Sequence, residues 1–154
     1  MFAIVPVNTF AYKLMLLIHI LSILVAFAPQ FVWPLVSAKL AKDGQPVGPT
    51  IGALAAGNTA KIHGPALAIA GIFGGGLVGM SEKLFTFSQL WVSVAMLLWF
   101  AMLGVVYGLM VPAEKRAHGG DEAAGMKLAM FNGIIHTLLL LIVIDMIWKP
   151  GFPS

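Results

Sequence analysis

The sequence predicts an all-α fold, a polytopic transmembrane bundle of four helices, and two observations favour it. Four stretches contain no Asp, Glu, Lys or Arg: residues 14–38, 62–81, 84–113 and 128–144, with 25, 20, 30 and 17 residues. A helix needs about 20 mostly apolar residues to cross the hydrocarbon of a bilayer, and the fourth stretch reaches that length if its helix continues to Trp148. Charged residues make up only 10% of the chain, whereas soluble domains carry about 25%.

The first two helices are predicted over residues 10–32 and 62–80. Asn8 and Thr9 are favourable N-cap residues just before helix one. Pro29 and Pro34 are expected to kink or end that helix, because proline has no backbone N–H and clashes with the preceding turn. Residues 39–61 form the first loop, with one interfacial helical turn predicted at 51–56. Pro65 falls in the first turn of helix two, where proline is tolerated.

The last two helices are predicted over residues 85–111 and 126–148. Pro112 is expected to end helix three, and Lys149-Pro150-Gly151 is expected to end helix four. The connection at residues 81–83 is so short that helices two and three must be antiparallel neighbours. The segments outside the helices are too short for a soluble domain, so residues 1–154 are predicted to form a single transmembrane domain.

Composition and charge narrow the classes of protein. The chain has no cysteine, which excludes disulfides, thiolate zinc sites, iron–sulfur clusters and covalent c-type haem. The net charge of +3 comes from few groups near the helix ends, so lipid and not nucleic acid is the expected surrounding. Residues 39–61 and 113–127 carry six of the nine Lys and Arg residues. Positive loops stay in the cytoplasm, which predicts a multi-pass membrane protein with both termini outside.

Small residues recur at helical spacing. Gly71, Gly75 and Gly79 repeat every four positions in helix two, and such spacing lets helix backbones approach closely in lipid. The main interpretation is tight packing, within the chain, with a second copy or with other membrane subunits. The alternative is that Gly74-Gly75-Gly76 makes space for a flat cofactor against the backbone.

His19 and His136 are the candidate cofactor-binding residues, and a haem b is the candidate cofactor. A histidine in hydrocarbon is costly and usually faces the bundle interior, where it pairs or binds something. Counted at 1.5 Å per residue, the predicted depths of the two residues differ by only about 6 Å. Two imidazoles on facing helices would then hold one haem between them. The alternative is that each histidine hydrogen-bonds a neighbour, such as Asn132.

The other titratable residues carry weaker signals. His63 and His118 are predicted to be solvated or to cap helix ends, and the sequence contains no spaced metal-ligand motif. We therefore predict no metal site and no catalytic residue. Asp145 is expected to form a local ion pair with Lys149, four residues later. The alternative for Asp145 is a carboxylate in a proton relay.

Two segments resemble known families. Residues 12–21, with Lys13 and His19, resemble the opening helix of small four-helix bacterial membrane proteins, which include copper-resistance-D-like proteins and the HemJ-type protoporphyrinogen oxidases. Residues 145–151 resemble the close of a related family of predicted integral membrane proteins. The HemJ-type resemblance implies a b-type haem, a histidine in helix one and a lysine in helix three. His19 matches that histidine, but helix three has no internal lysine, so only the haem ligand at His19 is carried over.

The function predicted from these features is a small integral membrane subunit without catalysis of its own. It would associate with a larger, possibly redox-active complex of the inner membrane or with itself, and would hold a haem b. Two alternatives stay open. One is a haem-dependent membrane oxidoreductase of the protoporphyrinogen-oxidase kind, so the question of enzyme activity is left undecided. The other is a small transporter or metal-handling protein.

Overall fold

The computed structural model describes residues 7–45, 50 and 57–151. They form four helices: α1 Phe10–Lys42, α2 Thr59–Met80, α3 Leu90–His118 and α4 Glu122–Trp148. No strand occurs within these described residues, and all four helices are long and apolar enough to cross a membrane. The predicted all-helical class with four such helices is confirmed at this level. The helical turn predicted at 51–56 lies outside the described residues.

Helix α1 begins as predicted and runs ten residues further than expected. The Thr9 side chain accepts a hydrogen bond from the backbone N–H of Tyr12 and caps the helix. Both Pro29 and Pro34 lie inside α1, which continues through them to Lys42. Pro29 removes the N–H that would bond the carbonyl of Val25, four residues before it. A side chain from α2 replaces that lost bond, as described below, so the chain stays helical.

Helix α2 opens with a π-helical turn, Thr59–His63, and continues as an α-helix over Gly64–Met80. The connection to α3 then takes residues 81–89, longer than the three residues predicted. Glu82 and Lys83 adopt left-handed backbone angles, with φ of 54° and 70°. The buried Ser81 Oγ accepts the N–H of Phe85 at 2.9 Å. This ordered turn explains why α3 begins at Leu90, five residues later than predicted.

Helix α3 also passes a proline that was expected to end it. A π-helical segment, Val105–Met110, lies between the α-helical parts Leu90–Gly104 and Val111–His118. Pro112 lies just after the π-helical segment, in the first turn of the second part, and α3 continues past it to His118. Helix α4 starts four residues earlier than predicted, because the Asp121 carboxylate accepts the N–H of Ala124 at 3.0 Å and caps its first turn.

The four helices pack as an antiparallel bundle in which α1 lies mainly on α2, and α3 on α4. We call the end that holds residues 81–89 the turn end and the opposite end the loop end. The core contains Met102 of α3 and Ile135 of α4, both almost fully buried. On α4 the inward positions alternate in steps of four and three, as in a coiled-coil seam: Ala124, Leu128, Phe131, Ile135, Leu138, Ile142 and Asp145.

Candidate functional site

A cavity of about 300 Å³ lies in the turn-end half of the bundle, and we call it the turn-end cavity. Residues of all four helices line it, and most of its wall is aliphatic, aromatic or glycine. Its polar side chains are few: Tyr12 and His19 from α1, Trp91 and Trp99 from α3, and Lys149 just beyond α4. A mainly apolar cavity with a few convergent polar groups is the usual form of a small-molecule site, which spans about 300–1,000 Å³.

His19 is fixed in this wall by the backbone of α2. Its Nδ1 lies 2.6 Å from the carbonyl oxygen of Ala70. A carbonyl only accepts hydrogen bonds, so Nδ1 carries the proton and Nε2 keeps its lone pair in the neutral ring. Metal-ligating histidines usually donate their other ring N–H in this way, which sets both the tautomer and the ring orientation.

A glycine makes the bond to Ala70 possible. In a helix the carbonyl of residue i points toward residue i+4, whose side chain normally covers it. Here that residue is Gly74, and an added Cβ would lie only 3.0 Å from the His19 ring. The flat imidazole therefore rests on bare backbone. The space expected for a cofactor at Gly74-Gly75-Gly76 is occupied at its first position by His19 and at its last by the Met15 side chain.

A second side chain, from α3, also donates a hydrogen bond to a carbonyl of α2 that a glycine leaves uncovered. The indole N–H of Trp99 donates to the carbonyl of Leu67 at 2.8 Å, and the residue four positions on is Gly71. An added Cβ at Gly71 would overlap the Trp99 indole. The predicted Gly71, Gly75 and Gly79 stripe is therefore not one contact surface. Gly71 seats an indole, Gly75 lines the turn-end cavity, and Gly79 faces open space.

The structure does not bring His136 to His19. The Nδ1 of His136 bonds the carbonyl of Asn132 at 2.9 Å, and its ring lies edge-on to Phe31 with centroids 6.1 Å apart. Phe31 follows His19 by twelve residues on α1, which corresponds to about 18 Å along the helix. One iron cannot take both imidazoles as axial ligands across that distance, so the predicted bis-histidine haem does not fit this arrangement.

A second, smaller cavity of about 90 Å³ lies in the loop-end half, and we call it the loop-end cavity. Its wall is more polar than that of the turn-end cavity, and it includes His63 and Thr59 from α2 and Glu114 from α3. Glu114 was not among the residues predicted from the sequence, and His63 was predicted to be solvated or to cap a helix end. Glu114 and His63 lie at the same height in the bundle because α2 and α3 are antiparallel neighbours. Only this shared height indicates that they face one cavity. His118 is exposed, as predicted.

Asp145 and Trp91 are two further buried residues with polar groups at the turn end, besides Ser81. Asp145 is only 6% exposed and Trp91 only 5%. Within the part of the chain that the structure describes, Asp145 Oδ2 and Trp91 Nε1 have no hydrogen-bond partner. The Lys149 ammonium lies over the rings of Phe85 and Trp91, 5.1 and 5.6 Å from their centroids. Asp145 thus occupies a core position of the α4 seam, and not an exposed helix end.

No family model, curated protein or solved structure matches the chain, so comparison with known proteins assigns it no family and no function. Among residues 7–45, 50 and 57–151, no group of three or more His, Cys, Asp or Glu side chains is placed to hold a metal ion.

Proposed function

We propose that this chain is a small integral membrane subunit that holds an apolar ligand in the turn-end cavity and performs no catalysis of its own. One observation carries the proposal. His19 lines that cavity with Nδ1 committed to Ala70, so Nε2 is the nitrogen that remains for a ligand. An anchored imidazole in a mainly apolar wall suits ligand binding, since it supplies one directional bond to a ligand that apolar side chains otherwise surround.

Haem b is the ligand that we propose first, and His19 is the residue that would bind its iron. The group is flat and mostly apolar, and an axial imidazole retains it without thioether links, which suits a chain that lacks cysteine. Tyr12 and Lys149 line the same cavity and would bind its acidic groups. Tyr12 precedes His19 by seven residues, or about 10 Å along α1. His136 has no part in this proposal.

We further propose that the bundle spans the bacterial inner membrane, with both termini outside and the larger loops in the cytoplasm. The six Lys and Arg residues at the loop end support this orientation. We also propose that α4 joins a partner subunit or a second copy. Gly125, Ala129, Gly133 and Thr137 repeat every four residues and are all exposed, and nothing lies within 4 Å of a Cβ added at either glycine. Small exposed residues at this spacing favour helix association in lipid.

An absorption spectrum of the gently purified, tag-free protein tests the proposal. We expect a reducible haem b spectrum that His19→Ala removes, because the iron loses its axial ligand. His136→Ala is the matched control and should keep the spectrum, since that ring lies about 18 Å along the bundle. A colourless parent protein, or full haem occupancy in His19→Ala, would refute the haem assignment. Loss of haem in His136→Ala alone would refute the single-ligand geometry.

A further inference from the structure

The loop-end cavity has the features of a second site, separate from the one above. Both π-helical segments, Thr59–His63 and Val105–Met110, contribute to its wall. Single π-helical turns inside α-helices are rare and are found frequently at functional sites. Phe27 and Leu67 line this cavity and the turn-end cavity as well, so two apolar side chains lie between them. The polar residues of the two cavities differ, because His63 and Glu114 line only the loop-end cavity and His19 lines only the turn-end cavity.

His63 presents a nitrogen lone pair to this cavity. Its Nδ1 lies 2.9 Å from the carbonyl oxygen of Val25, the group that Pro29 leaves without a helical partner. The carbonyl can only accept, so Nδ1 carries the proton and the neutral ring keeps its lone pair on Nε2. The backbone of α1 thus orients this imidazole as Ala70 orients His19.

Glu114 presents negative charge to the same cavity. The Thr59 hydroxyl donates to Glu114 Oε1 at 3.0 Å, and the backbone N–H of Gly57 also donates to this carboxylate. A carboxylate has about four lone-pair directions, so two remain after these bonds. No ion pair joins Glu114 to a cation within the described segments of the chain. Lys115 and Arg116, its neighbours in sequence, are exposed, where water and salt screen their charges.

We propose that the loop-end cavity binds a divalent transition-metal ion between His63 Nε2 and the Glu114 carboxylate. An imidazole lone pair and a carboxylate around one small cavity attract a cation, and mixed nitrogen and oxygen ligands suit Zn²⁺ and its first-row neighbours. The Asn132 amide also lines the cavity. A volume of about 90 Å³ accommodates an ion together with water that completes its coordination. Two protein ligands of this kind make a site for reversible binding.

Cobalt titration of the tag-free full-length protein in detergent micelles tests this site. We expect saturable Co²⁺ absorption that Zn²⁺ displaces at one equivalent. Glu114→Gln should weaken Co²⁺ binding by at least about tenfold, as losses at metal sites do, while Gln still accepts from Thr59 and so preserves the fold. His118→Ala is the control, because that exposed histidine lies at the same end of the bundle and outside the cavity; it should bind as the parent does.

His63→Ala should also lose the signal, and circular dichroism would show whether that variant is folded. Equal Co²⁺ affinity in Glu114→Gln and the parent would overturn the proposal, as would loss of binding in His118→Ala. Absence of any zinc-displaceable signal in the parent would overturn it too. The haem spectrum of the same sample reports on the turn-end cavity independently, so failure of one site does not imply failure of the other.

Discussion

Replacing Gly71 by alanine should destabilise the bundle strongly, although alanine is the better helix former. The new Cβ would overlap the Trp99 indole, which rests on the bare backbone of α2 at that point. The indole must then move, and it loses its 2.8 Å bond to the carbonyl of Leu67. Gly75→Ala is the matched control on the same helix, since nothing lies within 4 Å of a Cβ added there.

The expected magnitude follows from three contributions. Overpacking a well-filled contact costs about 1–3 kcal/mol. Loss of the indole hydrogen bond costs about 1 kcal/mol in soluble proteins and about 0.6 kcal/mol on average between membrane helices. The gain in helix propensity from glycine to alanine, up to about 1 kcal/mol, applies to both substitutions and cancels in their comparison. Gly71→Ala should therefore be less stable than Gly75→Ala by about 2–4 kcal/mol.

Reversible unfolding by dodecyl sulfate in mixed micelles, followed by circular dichroism, measures this difference. The same comparison in a Trp99→Ala background identifies the cause. With the indole absent, Gly71→Ala should add almost no further cost, so the two substitutions should be strongly non-additive. Equal stability of Gly71→Ala and Gly75→Ala, or an undiminished Gly71→Ala cost in the Trp99→Ala background, would refute the proposed packing of α3 on α2.

Two further predictions concern topology and the buried carboxylate. Cysteine placed at Gly119 should resist an impermeant maleimide in intact cells, while cysteine at Gly151 should react. The reason is that the positive-inside rule predicts a cytoplasmic loop end. The reverse labelling pattern would show that the predicted orientation is wrong. Asp145→Asn should raise the stability in micelles by about 1–2 kcal/mol, because the carboxylate is 6% exposed and one of its oxygens is unpartnered. A lower stability would mean that the charge is paired in the folded protein.

The four helices were predictable because long charge-free segments have few alternatives to a helix of membrane-spanning length. Their ends were less predictable. Pro29, Pro34 and Pro112 were expected to kink or end helices, and the chain passes all three. Proline breaks a helix by leaving a carbonyl unpaired, and a distant side chain can pair it. Val25 receives His63 from 38 residues away, a bond that no local pattern indicates.

The candidate site was only partly predictable, because several of its contacts also join residues that are far apart in sequence. His19 was identified from its place in an apolar helix, because a histidine there is costly. Its separation from His136 was not foreseen, since counting residues from the helix ends assumes that α1 begins at the level where α4 ends, whereas Phe31 and not His19 lies beside His136. The glycines of α2 were read as a stripe for helix contact. In the structure Gly71 and Gly74 instead uncover the carbonyls of Leu67 and Ala70, four residues earlier, for side-chain donors.

The bond between His63 and Val25 gives a last prediction, because the proline that frees the carbonyl can be removed. His63→Ala should cost about 1–3 kcal/mol, the usual penalty for a polar group left unpaired. Pro29→Ala restores a backbone N–H to the Val25 carbonyl, so it should recover about 1 kcal/mol of that cost. Pro34→Ala is the control, since its N–H would bond a different carbonyl. Unfolding in micelles of the three single variants, and of the two double variants that combine a proline substitution with His63→Ala, measures the coupling. Strict additivity of Pro29→Ala with His63→Ala would show that His63 does not replace the lost helical bond.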